Sequence, residues 1–180
     1  MSNELREFLA LSYAELEELN IKAKEQRKNR VAPHKIQEER LKYLTDEKGI
    51  KAVTVLFSDL EGRLHMLDYD KKFLIKSWDN LTFDGSSIRG FTAQRESDLR
   101  LAMDWGAFYW APADVFGSGK VLVFGQVIDK DGSPYSADIR GVLKGYAAFF
   151  RRNDDFRDFV RFILSGGRFL RGDGRGKYHR

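Results

Sequence analysis

The feature that most constrains the fold is an extended segment near Ile50 that is apolar on both sides. Successive side chains of a β-strand point to opposite faces of its sheet. The two faces here carry apolar or small side chains, with Val53, Val55 and Phe57 on one and Ala52, Thr54 and Leu56 on the other. We therefore expect a sheet in which this strand is covered on both faces.

A tight turn follows this strand. Asp59, Leu60, Glu61 and Gly62 have the composition of a hairpin turn, and Gly62 can adopt a positive φ at little cost. The segment from Arg63 to Tyr69 is then expected to return as the antiparallel partner.

The order of the remaining elements predicts an α+β fold with a mixed sheet. Residues 71–110 show little periodicity and are interpreted as a loop-rich region. A strand is predicted for Lys120–Ile128, followed by a turn at 129–132 and a helix at about 137–150.

Two helices are predicted ahead of the sheet. The first spans about 12–30, where Ser12 and Glu15 form a capping box. Pro33 separates it from a second helix at about 34–48, which Gly49 is expected to close. Because polar residues dominate the first helix, we interpret it as a solvated arm.

Composition excludes several classes of protein. The 180 residues are 42% hydrophobic, which is typical of a globular chain. The absence of cysteine excludes disulfides, thiolate metal sites and a catalytic thiol, and it fits a cytoplasmic location. We expect neither a secretory signal nor a membrane span, because the first residues mix acidic with apolar side chains and no long apolar run can be read.

The positive charge is concentrated at one end. The net charge is +4, but residues 151–180 hold nine basic and four acidic residues, so the rest of the chain is close to neutral. This segment has neither Ala nor Glu and is rich in Arg, Gly, Phe and Asp, so we expect an aberrant, disordered tail. A nucleic-acid partner is therefore disfavoured for the body of the chain.

The sharpest local motif is the loop at 83–91, with the sequence FDGSSIRGF. From the residues alone, Asp84 is more readily explained as an Asx-turn or helix-capping residue than as a functional site. The motif says little about function without a further match.

Four segments in order supply that match, because they resemble the amino-terminal domain of type I glutamine synthetases. They are VLFSDLEGRLH, FDGSSIRGF, ESDLRL and PADVFGSGKVLVFGQVIDKDGSPYSADIR. The resemblance covers roughly residues 36–148. It implies a β-grasp domain at 49–136 after a helical arm at 1–48, the start of a catalytic-domain helix at 137–150, and the tail at 151–180.

The resemblance also implies a chemistry. In this family ATP phosphorylates glutamate, and ammonia then displaces phosphate with the help of two divalent ions, Mg²⁺ or Mn²⁺. Asp84 matches the aspartate that binds ammonium and accepts its proton in the active site of a neighbouring subunit. Ser87 matches a serine beside it, and Asp98 matches an acid for which we expect a role in positioning the loop.

Two departures from the family limit this expectation. Met103, Asp104, Trp105 and Gly106 stand where the family has a proline-aspartate pair and a threonine-containing turn, which leaves the role of Asp98 open. The family's metal-binding and nucleotide-binding segments lie in a catalytic domain with no counterpart here. We therefore expect an amino-terminal fragment that binds no cofactor and is inactive alone, with that catalytic domain or neighbouring subunits of a homo-oligomeric ring as partners.

Other candidates are weaker. His34, His65 and His179 lack metal-ligand spacing, so no metal site is predicted. The aromatic residues around Trp105 and Trp110 are expected in a core or subunit interface rather than stacked on bases. The alternative to a synthetase fragment is a free-standing β-grasp binding or regulatory module, with a basic tail that binds nucleic acid.

Overall fold

The computed structural model describes residues 8–92 and 98–152, without the side chains of residues 151 and 152. A turn of 3-10 helix at Phe8–Ala10 precedes five helices and five strands. The helices are α1 (Tyr13–Lys28), α2 (Pro33–Asp46), α3 (Lys71–Ser77), α4 (Ala113–Phe116) and α5 (Ile139–Arg152). The strands are β1 (Ala52–Ser58), β2 (Leu64–Asp70), β3 (Leu81–Asp84), β4 (Asp98–Trp110) and β5 (Lys120–Ile128).

The five strands form one mixed sheet in the order β2-β1-β5-β4-β3. Strand β1 runs parallel to β5, and the other neighbouring pairs are antiparallel. The predicted α+β class with a mixed sheet is therefore confirmed. Strand β1 is covered on both faces as expected, because Val53 and Val55 are fully buried and Thr54 and Leu56 are each only 4% exposed.

The predicted hairpin is also confirmed. Strands β1 and β2 pair antiparallel from Ala52 opposite Asp70 to Ser58 opposite Leu64. Gly62 adopts a φ of 77° in the connecting turn, where a residue with a Cβ atom would be strained.

The interpretation of residues 71–110 as loop-rich is wrong, because this region holds α3, β3 and the 13-residue strand β4. Strand β4 was missed because its alternation is interrupted. Its register against β5 shifts between Asp104 and Phe108, and the adjacent residues Ala107 and Phe108 are both buried. A single period of two cannot describe a strand with such an irregularity.

Helix α1 begins after the predicted capping box, in which the Ser12 backbone N–H donates to the Glu15 carboxylate at 2.9 Å. Its interpretation as a solvated arm is corrected by the structure. Leu16 and Ala23 are buried in the core, and the helix packs on β4. A narrow contact is enough to hold the helix, which explains why its sequence is mostly polar.

Helix α2 starts at Pro33 and ends at Asp46, before the predicted limit, so Gly49 is not its capping residue. Its buried Arg40 lies over the ring of Trp110, with 4.9 Å between the guanidinium carbon and the ring centroid. Trp105 and Trp110 are both buried, which confirms that this aromatic cluster belongs to the core.

The described residues up to Gly141 belong to one compact unit, and Val142–Arg152 belong to a second. Helix α5 begins at Ile139, two residues later than predicted. The predicted domain boundaries stay predictions, and the tail predicted as disordered lies outside the described residues except for its first two. Among the described helices, none combines the length and apolarity that a membrane crossing requires.

Candidate functional site: the Asp84 loop

Asp84 is the last residue of β3 and caps a turn of 3-10 helix at Gly85–Ser87. Its Oδ1 accepts hydrogen bonds from the Ser86 backbone N–H at 2.9 Å and the Ser86 hydroxyl at 2.7 Å. Its Oδ2 accepts a bond from the Ser87 hydroxyl at 3.2 Å. The carboxylate therefore has the capping role that its sequence suggested, and this role fixes its orientation on an exposed loop.

These bonds also set the charge of Asp84. The Ser86 hydroxyl, followed by the Ser86 backbone N–H, lowers the pKa of this carboxyl, because both donors favour its ionised form. Asp84 is therefore an anion at neutral pH. An exposed anion of fixed orientation can attract a cation.

Gly85 is required for the close packing of the loop against β4. A Cβ atom at this position would lie 2.7 Å from Cδ1 of Leu99 and 3.0 Å from the hydroxyl of Thr92. A side chain here would therefore force either Leu99 or the loop itself to shift.

The sheet brings Asp98 to the same place. Asp98 opens β4 and is paired directly with Asp84 in the β3–β4 ladder. Residues directly opposite each other in an antiparallel pair project to the same face. The structure thus brings together the two acids that the resemblance singled out, and both are exposed.

An open cavity of about 330 Å³ lies beside the loop. Asp84, Ser87 and His65 supply its polar lining, and the remaining walls are apolar. All three predicted site residues therefore lie in one region, with Ser87 and Asp84 in the cavity wall and Asp98 paired to Asp84.

Sequence reasoning missed a second polar pair in this region. His65 Nε2 lies 2.8 Å from Oδ2 of Asp59, whose side chain is only 3% exposed. Oδ1 of Asp59 accepts hydrogen bonds from the backbone N–H groups of Glu61 and Arg63, both at 2.9 Å. The bond with His65 and these backbone bonds hold the pKa of Asp59 below its ordinary value. The only signal in the sequence was that a tight hairpin returns residue 65 towards residue 59.

No group of three or more histidine, aspartate or glutamate side chains with the arrangement of a metal site occurs among residues 8–92 and 98–152. His34 is exposed on α2, and His179 lies outside the described residues. Within the described part of the chain, Asp84 and Asp98 belong to no group of three such side chains, so these two carboxylates alone do not form a ligand set.

Comparison with known proteins identifies the domain around this site. Residues 49–130 match the family model described as the glutamine synthetase β-grasp domain. The glutamine synthetase of Thermotoga maritima is 33% identical over 107 residues, which are 59% of this chain and 24% of that protein. The glutamine synthetase of Methanosarcina mazei is 37% identical over 103 residues, which are 54% of this chain and 22% of that protein.

A solved structure supports the fold. The cryo-EM structure of Plasmodium falciparum glutamine synthetase aligns with a TM-score of 0.57 at 21% identity, over 64% of this chain and 22% of that one. The chain thus spans about a quarter of the length of the relatives it matches. Residues 49–130 of this chain are a β-grasp domain of the glutamine synthetase family.

Proposed function

We propose that this chain supplies the ammonium-binding loop of a glutamine synthetase active site that a catalytic domain on a neighbouring subunit completes. The observation that carries the proposal is the placement of Asp84, an exposed and ionised carboxylate held by Ser86 at the end of β3. Asp98 supports it, because its pairing with Asp84 adds a second acidic side chain on the same face.

The geometry suits the binding of a small cation. Two neighbouring carboxylates attract ammonium, and the Ser87 hydroxyl beside Asp84 adds a polar group to the same cavity. Ammonium must lose a proton before its nitrogen can attack a carbonyl or acyl phosphate. Because the pKa of Asp84 is lowered, the ionised carboxylate attracts the cation. It is also placed to accept the proton that ammonium loses before attack, which leaves the nitrogen lone pair free.

The remaining chemistry is assigned to the catalytic domain. In the family reaction ATP supplies the phosphoryl group and Mg²⁺ or Mn²⁺ neutralises its charge. We propose that the catalytic domain holds these ions and that this chain contributes the acidic loop, since the described residues show no ligand set for them. We accordingly propose that it has no synthetase activity by itself, that its partners are catalytic domains or subunits of a ring, and that it acts in the cytoplasm.

A chimera tests the proposal in the setting of a complete enzyme. Residues 49–136 of this chain would replace the matching segment of the Thermotoga maritima synthetase, and glutamine formation would be measured from glutamate, ATP and ammonia with Mg²⁺ or Mn²⁺. We expect an active chimera whose KM for ammonia rises at least about tenfold in Asp84→Ala, the usual scale for losing one charged contact.

Asp131→Ala is the matched control. Asp131 also accepts a bond from a serine backbone N–H two residues later, at 2.9 Å, and its pKa is also lowered by that serine. It lies on the turn after β5 rather than beside the cavity. An active chimera that responds equally to both substitutions, or to neither, would contradict the role of Asp84.

The wild-type chain would also be assayed alone and after mixing with the separately produced remainder of the Thermotoga maritima synthetase. Activity of the chain alone would overturn the proposal that it needs a catalytic partner. Activity only in the mixture would show that the loop works when it is supplied from a separate chain.

A further inference from the structure

We infer that His65, oriented by Asp59, is a positioning residue for the Asp84 loop. The inference deepens the proposed function and rests on it for its catalytic consequence. Its structural part depends only on contacts within the β-grasp domain.

The first step is that the position of the His65 ring is fixed. Its Nε2 bonds to Oδ2 of Asp59, and that carboxylate is itself held by two backbone N–H groups of the hairpin turn. Asp59 is buried, so little water competes for these bonds. The turn therefore holds the imidazole in one position through Asp59.

The second step is a continuous set of ring contacts from His65 to the site. The His65 ring stacks on Phe57 with centroids 5.3 Å apart and planes 21° from parallel. Phe57 contacts Phe83 at 4.9 Å between centroids. Phe83 immediately precedes Asp84, so we expect a shift of its ring to be passed through the backbone to the carboxylate that follows.

The third step is that the same turn contacts the far side of the loop. Leu60 lies so close to Gly90 that a Cβ atom there would be 3.1 Å from Cδ1 of Leu60. Glu61 forms an ion pair with Arg89 at 3.4 Å. The hairpin turn thus meets the loop at two places, through the stacked rings before Asp84 and through direct contacts after it.

Removing the His65 ring is therefore expected to loosen the loop while leaving the sheet intact. In a glutamine synthetase site this would weaken ammonium binding, because Asp84 would spend less time in the productive orientation. His65 touches no reacting atom in this scheme and acts through Phe57 and Phe83.

Amide hydrogen exchange of the full chain, followed by NMR, tests the structural part. The reporters are the N–H groups of Ile88, which donates to Gly85, and Phe91, which donates to Ile88, both at 3.1 Å. His65→Ala should speed exchange at both at least about tenfold, while amides of the central strands change much less. His65→Phe keeps a ring on Phe57 and should restore part of the protection.

His34→Ala removes a histidine on the exposed surface of α2 and is the control. Unchanged exchange at Ile88 and Phe91 in His65→Ala would overturn the inference. Equal acceleration throughout the sheet, with no recovery in His65→Phe, would also overturn it, because it would show only a general loss of stability.

The chimera separates this inference from the proposed function. We expect His65→Ala there to raise the KM for ammonia several-fold without a similar effect on the KM for ATP, and His65→Phe to recover part of the loss. An inactive wild-type chimera would count against the proposed function, whereas the exchange measurements would still decide whether His65 positions the loop. An active chimera whose KM for ammonia is unaffected by His65→Ala would refute the catalytic part of the inference.

Discussion

Asp84 and Asp98 lie directly opposite each other across the β3–β4 pair, so two exposed acids share one position of the sheet edge. Like charges in this arrangement repel and destabilise the pairing of the strands. Neither side chain is needed to fill the core. The arrangement therefore lowers the stability of the β3–β4 pair. It also creates a position at which the binding of a cation is favourable.

Removing one of these charges should stabilise the protein. We expect Asp98→Asn to raise the urea midpoint of the isolated chain, because it relieves the repulsion and leaves the serine bonds of Asp84 in place. Urea unfolding followed by circular dichroism measures the effect. Glu38→Gln on the exposed surface of α2 makes the same change in net charge and should have a smaller effect. A lower midpoint in Asp98→Asn would show that Asp98 stabilises the fold.

The close approach of Gly119 to Gly49, just before β1, can be tested by substitution. Gly119 has a φ of 71°, and a Cβ atom there would lie 2.7 Å from the carbonyl oxygen of Gly49. Gly132 has a similar φ of 85° but no atom within 4 Å of such a Cβ. Gly132→Ala should reduce the free energy of unfolding by about 1 kcal/mol through backbone strain alone. Gly119→Ala should cost at least about 1 kcal/mol more, because the backbone must move. Equal losses would mean that the contact with Gly49 is readily relieved.

The Asp59–His65 pair predicts a particular response to acid. The pKa of Asp59 is lowered in the folded protein, chiefly by its hydrogen bond with His65, so the ionised carboxylate stabilises the fold. This contribution is complete above the ordinary aspartate pKa of about 4 and is lost as the pH falls through the lower folded value. We expect the free energy of unfolding of Asp59→Asn to decline less between pH 5 and pH 2 than that of the wild type. Urea unfolding across this pH range gives the two curves, and parallel curves would refute the prediction.

The amide side chain of Asn20 bonds α1 to the sheet, in addition to the buried contacts of Leu16 and Ala23. Asn20 accepts a bond from the Trp110 backbone N–H at 3.1 Å and donates to the Trp110 carbonyl at 2.8 Å. Asn20→Ala would leave both backbone groups without these partners and should cost about 1–3 kcal/mol in unfolding free energy. Asn29→Ala, at the exposed end of the same helix, should cost less. If the two substitutions have equal effects in urea unfolding, the pairing of Asn20 with Trp110 does not hold the helix.

The elements that could be predicted from the sequence are those whose pattern involves only residues close together in the chain. Strand β1 was recognisable because both of its faces are apolar, and β2 because Gly62 marks the turn that precedes it. Strand β5 alternates without interruption. Strand β4 was not recognisable from the sequence, because its register shift between Asp104 and Phe108 breaks the alternation. The docking of α1 also escaped prediction, since its contacts, including the bonds between Asn20 and the Trp110 backbone, join residues about 90 positions apart.

The difference between features set by neighbouring residues and features set by long-range contacts also applies to the site. Asp84, Ser87 and Asp98 were found through a resemblance of short motifs, and the capping role of Asp84 followed from its neighbours. That Asp84 and Asp98 oppose each other depends on the pairing of β3 with β4, and β4 was not predicted. The Asp59–His65 bond and the ring contacts from His65 to Phe83 arise from side-chain packing across strands, which no period in the sequence reveals.

The parallel pairing of β1 with β5 has a consequence for how this chain acquires its structure during synthesis. Ala52 pairs with Lys120, 68 positions later, so β1 has only its hairpin partner until β5 has left the ribosome. The β1–β2 hairpin can form early because its contacts are local, whereas closing the long connection to β5 is entropically costly and slow. In that interval the apolar faces of β1 are open to water and to other chains. Folding of this domain is therefore expected to be limited by the arrival of β5, and a nascent chain halted before Lys120 is the form most exposed to aggregation.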